Sequence, residues 1–412
     1  MTILLRIKKA DILRFIIIFL VVINLNLLNF GDYSQTFRYF TSFVSIITYF
    51  YCMFNNKVRT EVRTYSYYMN KWIVVLFALM LVEVFIGLSG REGLLEAIGK
   101  VHIFTWCLLF YPTVYVIIKY KDGVKVILKD ICIWTTITYL VKIFIWWMFN
   151  YRGIEIMHYI LYEFGEIWLR NDFQRIPAPC FSGILFATML YKVLQPYKLR
   201  KKIVPILIIM IQLFYANYVF ASRAQLISFV GAAIAALVLH RSKSEKKIIE
   251  FSIIIVMTIV VIASESFNDF IASLSTHTSS IGNRLYAFNH FFNLLKGNWF
   301  FGFQHIYDGN TINGFLGISY LSDTGILENL FCWGIIGFII TLIPFMRMLF
   351  ICFNKRIKQS SHYVLLITLF LYTLFSTILS NNVYDSNLLF AFPFICALFE
   401  VIYIDAKVNM NK

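Results

Sequence analysis

The 412-residue sequence reads as an all-α, polytopic integral membrane protein of about twelve transmembrane helices. Composition, the recurrence of apolar runs and the distribution of basic residues each lead there. Hydrophobic residues make up 59% of the chain and charged residues only 14%, a balance that would not keep a water-soluble domain of this size in solution. Apolar runs of roughly 17 to 22 residues recur from end to end, each long enough to cross about 30 Å of hydrocarbon at about 1.5 Å per residue. The net charge is +15, and most of it falls in alternate connections, around Arg6, Lys8, Lys9 and Arg14, at Lys198 to Lys202, and at Arg241 to Lys247. Under the positive-inside rule this sets both termini in the cytoplasm, so the charge reports orientation rather than a nucleic-acid partner.

Taken in order, the predicted spans run over 14–30, 37–54, 72–89, 101–118, 131–149, 180–195, 203–220, 224–240, 248–264, 334–352, 362–380 and 387–404. No small-residue cleavage site follows the first, and the second begins within seven residues, so the first is expected to stay in the bilayer rather than act as a cleaved signal. The whole chain, 1–412, forms a single membrane domain with two long extracytoplasmic loops, 150–179 and 265–323. In the first loop, Met157, Ile160, Leu161, Phe164 and Trp168 recur at helical spacing, opposite Glu155, Tyr159, Glu163, Glu166 and Arg170, which predicts a surface-lying amphipathic helix. The second predicts a helix from Asn283 to Lys296 and a turn at Lys296–Asn298. The seven cysteines lie singly, suggesting neither a disulfide framework nor a metal site, and no internal repeat points to a transporter.

Outward arginines run against the charge rule. Arg223 falls in a short turn between two apolar spans, where a guanidinium is costly unless it meets water or an anion. Arg284 heads the loop helix, and Arg175 precedes a span in RIPAPC, where the prolines fix an extended entry. Two readings stand for these arginines: contact with lipid headgroups, or a converging set that forks onto a diphosphate. Arg152 and Arg170 fit the first more simply. The acid-base candidates on the same side are Asp323, Glu328, His290, His305 and Asp308. Asp323 also reads as an N-cap in SDTGILE. Trp168, Tyr286, Trp299, Phe300 and Tyr307 suit either an interfacial belt or sugar stacking. No Asp-x-Asp pair, HExxH motif or glycine-rich phosphate loop occurs, so neither a metal, another cofactor nor a cytoplasmic nucleotide donor is expected.

From about Arg175 to Gly337 the sequence resembles the Wzy-type polysaccharide polymerase and O-antigen ligase superfamily. The likeness rests on RIPAP, on Ser222-Arg223 between adjacent spans, on GNRLYAFNHFFNLLKGNWFFGFQ, and on SDTGILENLFCWGIIGFI with its Gly-x-x-Gly ending. Two departures stand out. Only Gly302 remains where many members have Gly-x-Gly, and the ligase branch's His-Asn is replaced by Asp323-Thr324, which favours polymerase over ligase. The resemblance implies a GT-C-like fold and an inverting, metal-independent glycosyl transfer between undecaprenyl-diphosphate-linked oligosaccharides on the outer leaflet. It assigns Arg223, Arg284 and Arg175 to the diphosphate, and Asp323, Arg284 and His290 to catalysis. Membrane lipid, and a chain-length regulator and flippase of the same pathway, are the implied partners. The alternatives are a ligase of the superfamily, or a flippase or other transporter, which would line a central cavity with in-span charges; Arg38, Glu83, Lys142, Arg347 and Glu400 are the ones available.

Overall fold

The computed structural model describes residues 8–27, 34–90, 93–161, 169–170, 172–195, 198–239, 280–303, 311–314, 317–379, 383–385 and 388–409. Over these residues the protein is an all-α membrane protein. Its principal helices are α1 (Lys9–Asn24), α2 (Ser34–Phe54), α3 (Asn56–Ser89), α4 (Leu94–Lys119), α5 (Gly123–Arg152), α6 (Ser182–Leu194), α7 (Leu199–Val219), α8 (Arg223–Leu239), α9 (Ser280–Leu295), α10 (Leu327–Phe353), α11 (Tyr363–Leu379) and α12 (Phe392–Asn409). Six stretches, α3, α4, α5, α7, α10 and Leu389–Val408, are long and apolar enough to cross a membrane; α6, α8 and α11 are shorter apolar helices. Helix α9 belongs to the second loop and matches no predicted span. The predicted span 248–264 lies outside the described residues.

Local chemistry sets several boundaries. Asn55 caps α3 by accepting the Val58 N–H at 3.4 Å. At the far end of α5, Gly153 turns left-handed (φ +66°), which lets its N–H reach the Phe149 carbonyl and the Ile154 N–H reach that of Met148, closing the helix. Helix α4 is not uniform, because its middle, His102–Leu109, tightens to a 3₁₀ helix. Burial ranks the helices: 78% of the most apolar windows of α4 and of Leu389–Val408 is buried, against 33–44% for the other four long spans. These two therefore form the centre. The others keep one face of large apolar side chains exposed, among them Val74 and Phe85 of α3 and Ile339 and Met346 of α10, as lipid contact requires.

Polar contacts define two ends of the bundle. At one, Arg14 forks onto Asp130 (2.7 and 2.9 Å), Lys119 meets Glu61 (2.6 Å), the Tyr65 hydroxyl donates to Asp405 (3.2 Å) and the Tyr191 ring stacks on His362. Lys57, Arg59, Lys125, Lys198, Lys355 and Lys358 belong to the segments that meet there. At the opposite end lie the 169–181 segment, the corner between α7 and α8, and the turn before α10.

The helix of the second loop falls where the sequence places it, within three residues at either end, while the first loop departs from expectation at a short ribbon. In the first loop the described residues form an irregular stretch 153–156, helical residues His158–Leu161, and an antiparallel ribbon of β1 (Leu169–Arg170) and β2 (Phe173–Gln174); the middle of the expected amphipathic helix, 162–168, lies outside the described residues. Met157 takes φ +56° and Asp172 φ +62°, so a helix passes through neither position. In the second loop, α9 ends at Leu295, and a hairpin of β3 (Thr311–Gly314) and β4 (Gly317–Tyr320) precedes a 3₁₀ turn, Leu321–Thr324.

Candidate functional site

Residues 174–182 form an extended strap held on every side. Asn150 accepts the Gln174 N–H (2.8 Å), and Gln174 Nε2 donates to the Leu161 carbonyl (2.5 Å). Pro177 cannot donate, so its carbonyl is the group to satisfy. Lys142 Nζ donates to it at 3.1 Å, and the Tyr215 hydroxyl lies 3.0 Å from it and 3.1 Å from the Ile176 carbonyl. Tyr139 and Gln212 fix Ser182, where α6 begins.

The strap runs beside the corner between α7 and α8. Helix α7 loosens into a π-turn, Tyr215–Val219, and Phe220 N–H reaches back to the Tyr215 carbonyl (2.8 Å). Ala221 is left-handed (φ +46°), and Ser222 then caps α8 by accepting the Gln225 N–H (3.3 Å). Such a corner leaves carbonyls without intrahelical partners. Two arginines cover them. Arg175 Nε donates to Phe220 (2.8 Å), and Ala221 accepts from Arg170 Nη1 (2.5 Å) and Arg175 Nη2 (3.5 Å). Arg223, half-buried, is the first residue of α8, two positions beyond that shared carbonyl. Three guanidinium-bearing residues thus gather at one helix start. Two guanidinium groups on one carbonyl, beside the N-terminus of α8, make the corner positive and favourable to an anion.

Arg284 and His290 lie in α9. Its buried face, Ala287, Phe291 and Leu295, packs through stacked Phe291, Phe303 and Phe331 rings onto α10. His290 is half-buried beside Phe291. The Arg284 and Asp323 side chains lie outside the described residues, and so do His305, Asp308, Trp168 and Tyr307 altogether; the backbone of α9 packs against β4 and the turn that contains Asp323. Asp323 is not the N-cap of the next helix. That position is Ile326, because Gly325 turns left-handed (φ +60°) and sits tightly against the Ile378 carbonyl, delaying the helix to Leu327. Glu328 follows in its first turn.

A second close approach builds the floor of this region. Gly334 interrupts α10 with φ +63° and ψ −170°. The interrupted ladder is completed from the loop: Ile335 N–H donates to Trp299 (2.8 Å), Ile336 N–H to Phe300 (3.4 Å), and Phe303 N–H to the Phe331 carbonyl (3.0 Å). Gly302 (φ +72°) makes the reciprocal contact, its Cα facing the Cys332 carbonyl. Gly302 and Gly334, from two different motifs of the resemblance, therefore meet at one backbone crossing.

The structure arranges the predicted residues as two groups, the Arg170–Arg175–Arg223 corner and the unit of α9 with the 321–325 turn. Helix α8 runs antiparallel to α11, since Phe229 stacks on Tyr372 while Leu239, farther along α8, lines a groove with Ile367 and Phe370. Arg223 therefore starts α8 at the end where α11 finishes, and there Gly325 abuts Thr377 and Ile378. Both groups share that end of the bundle, away from the lysine-rich end. Arg170 is the residue that sequence reasoning undervalued, whereas Arg152 ends α5 exposed, over the Trp147 ring. Among the described residues no group of three or more His, Cys, Asp or Glu could hold a metal ion.

The class defined by these features is a polytopic, all-α membrane protein with a cationic corner at one end. Compared with known proteins, the chain matches no protein-family model and no curated protein sequence.

Proposed function

We propose that this chain is a polysaccharide polymerase of the Wzy type, joining undecaprenyl-diphosphate-linked repeat units on the outer leaflet of a bacterial plasma membrane. The observation that carries the reading is the Arg170–Arg175–Arg223 corner, set at the same end as the Asp323 turn and opposite the lysine-rich end. The positive-inside rule assigns the lysine-rich end to the cytoplasm, which turns the arginines outward and leaves both termini inside. In this reading the chain has twelve spans, with 248–264 as the ninth, and a GT-C-like architecture.

The chemistry is a single displacement. A sugar hydroxyl of the acceptor attacks the anomeric carbon of the donor glycan, and its proton passes to the Asp323 carboxylate. The bond from that carbon to the diphosphate oxygen breaks with inversion. The leaving diphosphate takes the electron pair, and Arg223 and Arg284, assisted by Arg175, neutralise the charge it gains. His290 orients the sugar. No step requires a metal. Of the cations within the spans, Lys142 is engaged by the Pro177 carbonyl and Arg347 pairs with Glu400 through one edge of its guanidinium. That also counts against a charged central pathway for a flippase.

Cells carrying Arg223→Ala or Arg284→Ala are expected to lose long-chain polymer while accumulating single lipid-linked repeats, at unchanged membrane levels of the protein. Glycan ladders on gels read this directly, and a normal ladder in both variants overturns the proposal. Asp323→Asn keeps the size and hydrogen-bonding reach of the side chain but cannot accept the proton. Its expected cost is about 10²–10⁴-fold in polymerisation rate, and a rate within about threefold of the unsubstituted protein removes Asp323 from the base role.

A further inference from the structure

A groove between α3 and α10, in the half of the bundle nearer the lysine-rich end, carries chemistry unrelated to the arginine corner. It encloses about 370 Å³ and is lined by Tyr68, Lys71, Trp72, Val75, Ile343 and Arg347, with Met69 beneath. Its depth follows from its neighbours. Tyr65, one turn before Tyr68, bonds Asp405 at the lysine-rich end, and Arg347 precedes the α10 terminus at Phe353 by fewer than two turns.

Arg347 is nine-tenths buried, with a side-chain exposure of 10%. Its Nε and Nη2 edge forks onto the two Glu400 oxygens at 2.6 and 2.8 Å. That geometry leaves Nη1 and its two hydrogens on the other edge, with no hydrogen-bond partner among the described residues. Tyr68 and Tyr403 clamp the guanidinium at 4.0 and 4.9 Å, so it cannot swing out to water. Lys71 lies on the same groove, over the Tyr67 ring at 4.4 Å, with no carboxylate partner among the described residues. Lys71, Arg347 and Glu400 together leave one uncompensated positive charge. Farther along, the wall is apolar: Trp72 is pinned by its indole N–H to the Ile340 carbonyl (3.0 Å), and Val75 and Ile343 are exposed on the lipid-facing surface.

We propose that this groove binds one anionic glycerophospholipid of the leaflet at the lysine-rich end, its phosphate between Lys71 and Arg347 Nη1 and one acyl chain along Trp72, Val75 and Ile343. Charge complementarity selects the anionic headgroup, and the open apolar wall selects a lipid over a free phosphate, whose transfer into such a groove would be unfavourable. Tyr68 borders the headgroup, where an amphipathic ring is favoured. The site is independent of the glycosyl-transfer reading.

The test is native mass spectrometry of the full chain in detergent, titrated with phosphatidylglycerol or phosphatidylcholine of matched acyl chains. One phosphatidylglycerol is expected to be retained, with about fivefold preference over phosphatidylcholine, the discrimination expected of one or two cations near an anionic phosphate. Lys71→Gln should bring the two lipids to within about twofold of each other. Ile343→Trp, which fills the groove without changing charge, should reduce phosphatidylglycerol retention by at least about threefold. Both positions are on the exposed surface, so neither change disturbs the core. Equal retention of the two lipids by the unsubstituted protein, unchanged preference in Lys71→Gln, or unchanged retention in Ile343→Trp each overturns the proposal.

Discussion

Replacing Gly334 with alanine is expected to lower the stability of the protein by about 3 kcal/mol or more, a large part of the about 5–15 kcal/mol by which native proteins are typically stable. Two costs combine. The backbone at φ +63°, ψ −170° lies in a region that is essentially glycine-only, worth about 1–3 kcal/mol for any other residue. A Cβ would also overlap the Phe300 carbonyl, forcing the loop away from the peptide groups of Ile335 and Ile336. A graded comparison separates the two. Gly153→Ala carries a positive φ of +66° with open space around it, and Gly93→Ala carries neither strain nor contact. The expected order of loss is about half a kcal/mol at 93, where alanine is a poorer N-cap of α4 than glycine, about 1 kcal/mol at 153, and the full effect at 334. Thermal unfolding in detergent, followed by size-exclusion chromatography, measures all three. Equal losses at the three positions would show that the crossing at 334 contributes nothing of its own.

The second large effect concerns Arg347 and Glu400. Arg347→Met should cost about 3–5 kcal/mol, because it strands a buried carboxylate among apolar helices. The double variant Arg347→Met with Glu400→Met removes both charges and should recover most of that loss, since an ion pair replaced by apolar groups of similar volume is often neutral. If the double variant is as unstable as the single one, the cost lies in the packing of Tyr68 and Tyr403 around the guanidinium and not in the stranded charge.

What could be read from the chain alone follows from the length scale of each signal. A run of about eighteen apolar residues carries its own message, and within the described residues each predicted span overlaps a helix, six of them long and apolar enough to cross a membrane. Short-range geometry was another matter. The ribbon pairs Leu169 and Arg170 with Phe173 and Gln174, too few residues for any period to show, so the sequence pattern puts Arg170 on the polar side of a helix, while the structure makes it a partner for Ala221. SDTGILE matches a capping pattern, but the helix begins at Leu327, because Gly325 follows the contour of α11, a helix about fifty residues later in the chain. The corner itself depends on a π-turn, which has no composition signature, and on an alanine in the left-handed region. Arg175 and Arg223 stood out for a simpler reason: a guanidinium between apolar spans conflicts with its surroundings, and such conflicts can be detected without knowing the fold.

The crossing of residues 299–303 over the interruption in α10 has a mechanical consequence. Peeling that segment away would bare the peptide groups of Phe331, Ile335 and Ile336 where no water can replace the lost partners, at several kcal/mol apiece. The long loop is therefore no free flap: its base and the first two turns of α10 travel as one piece, and any displacement of α9 on that base is transmitted into the bilayer.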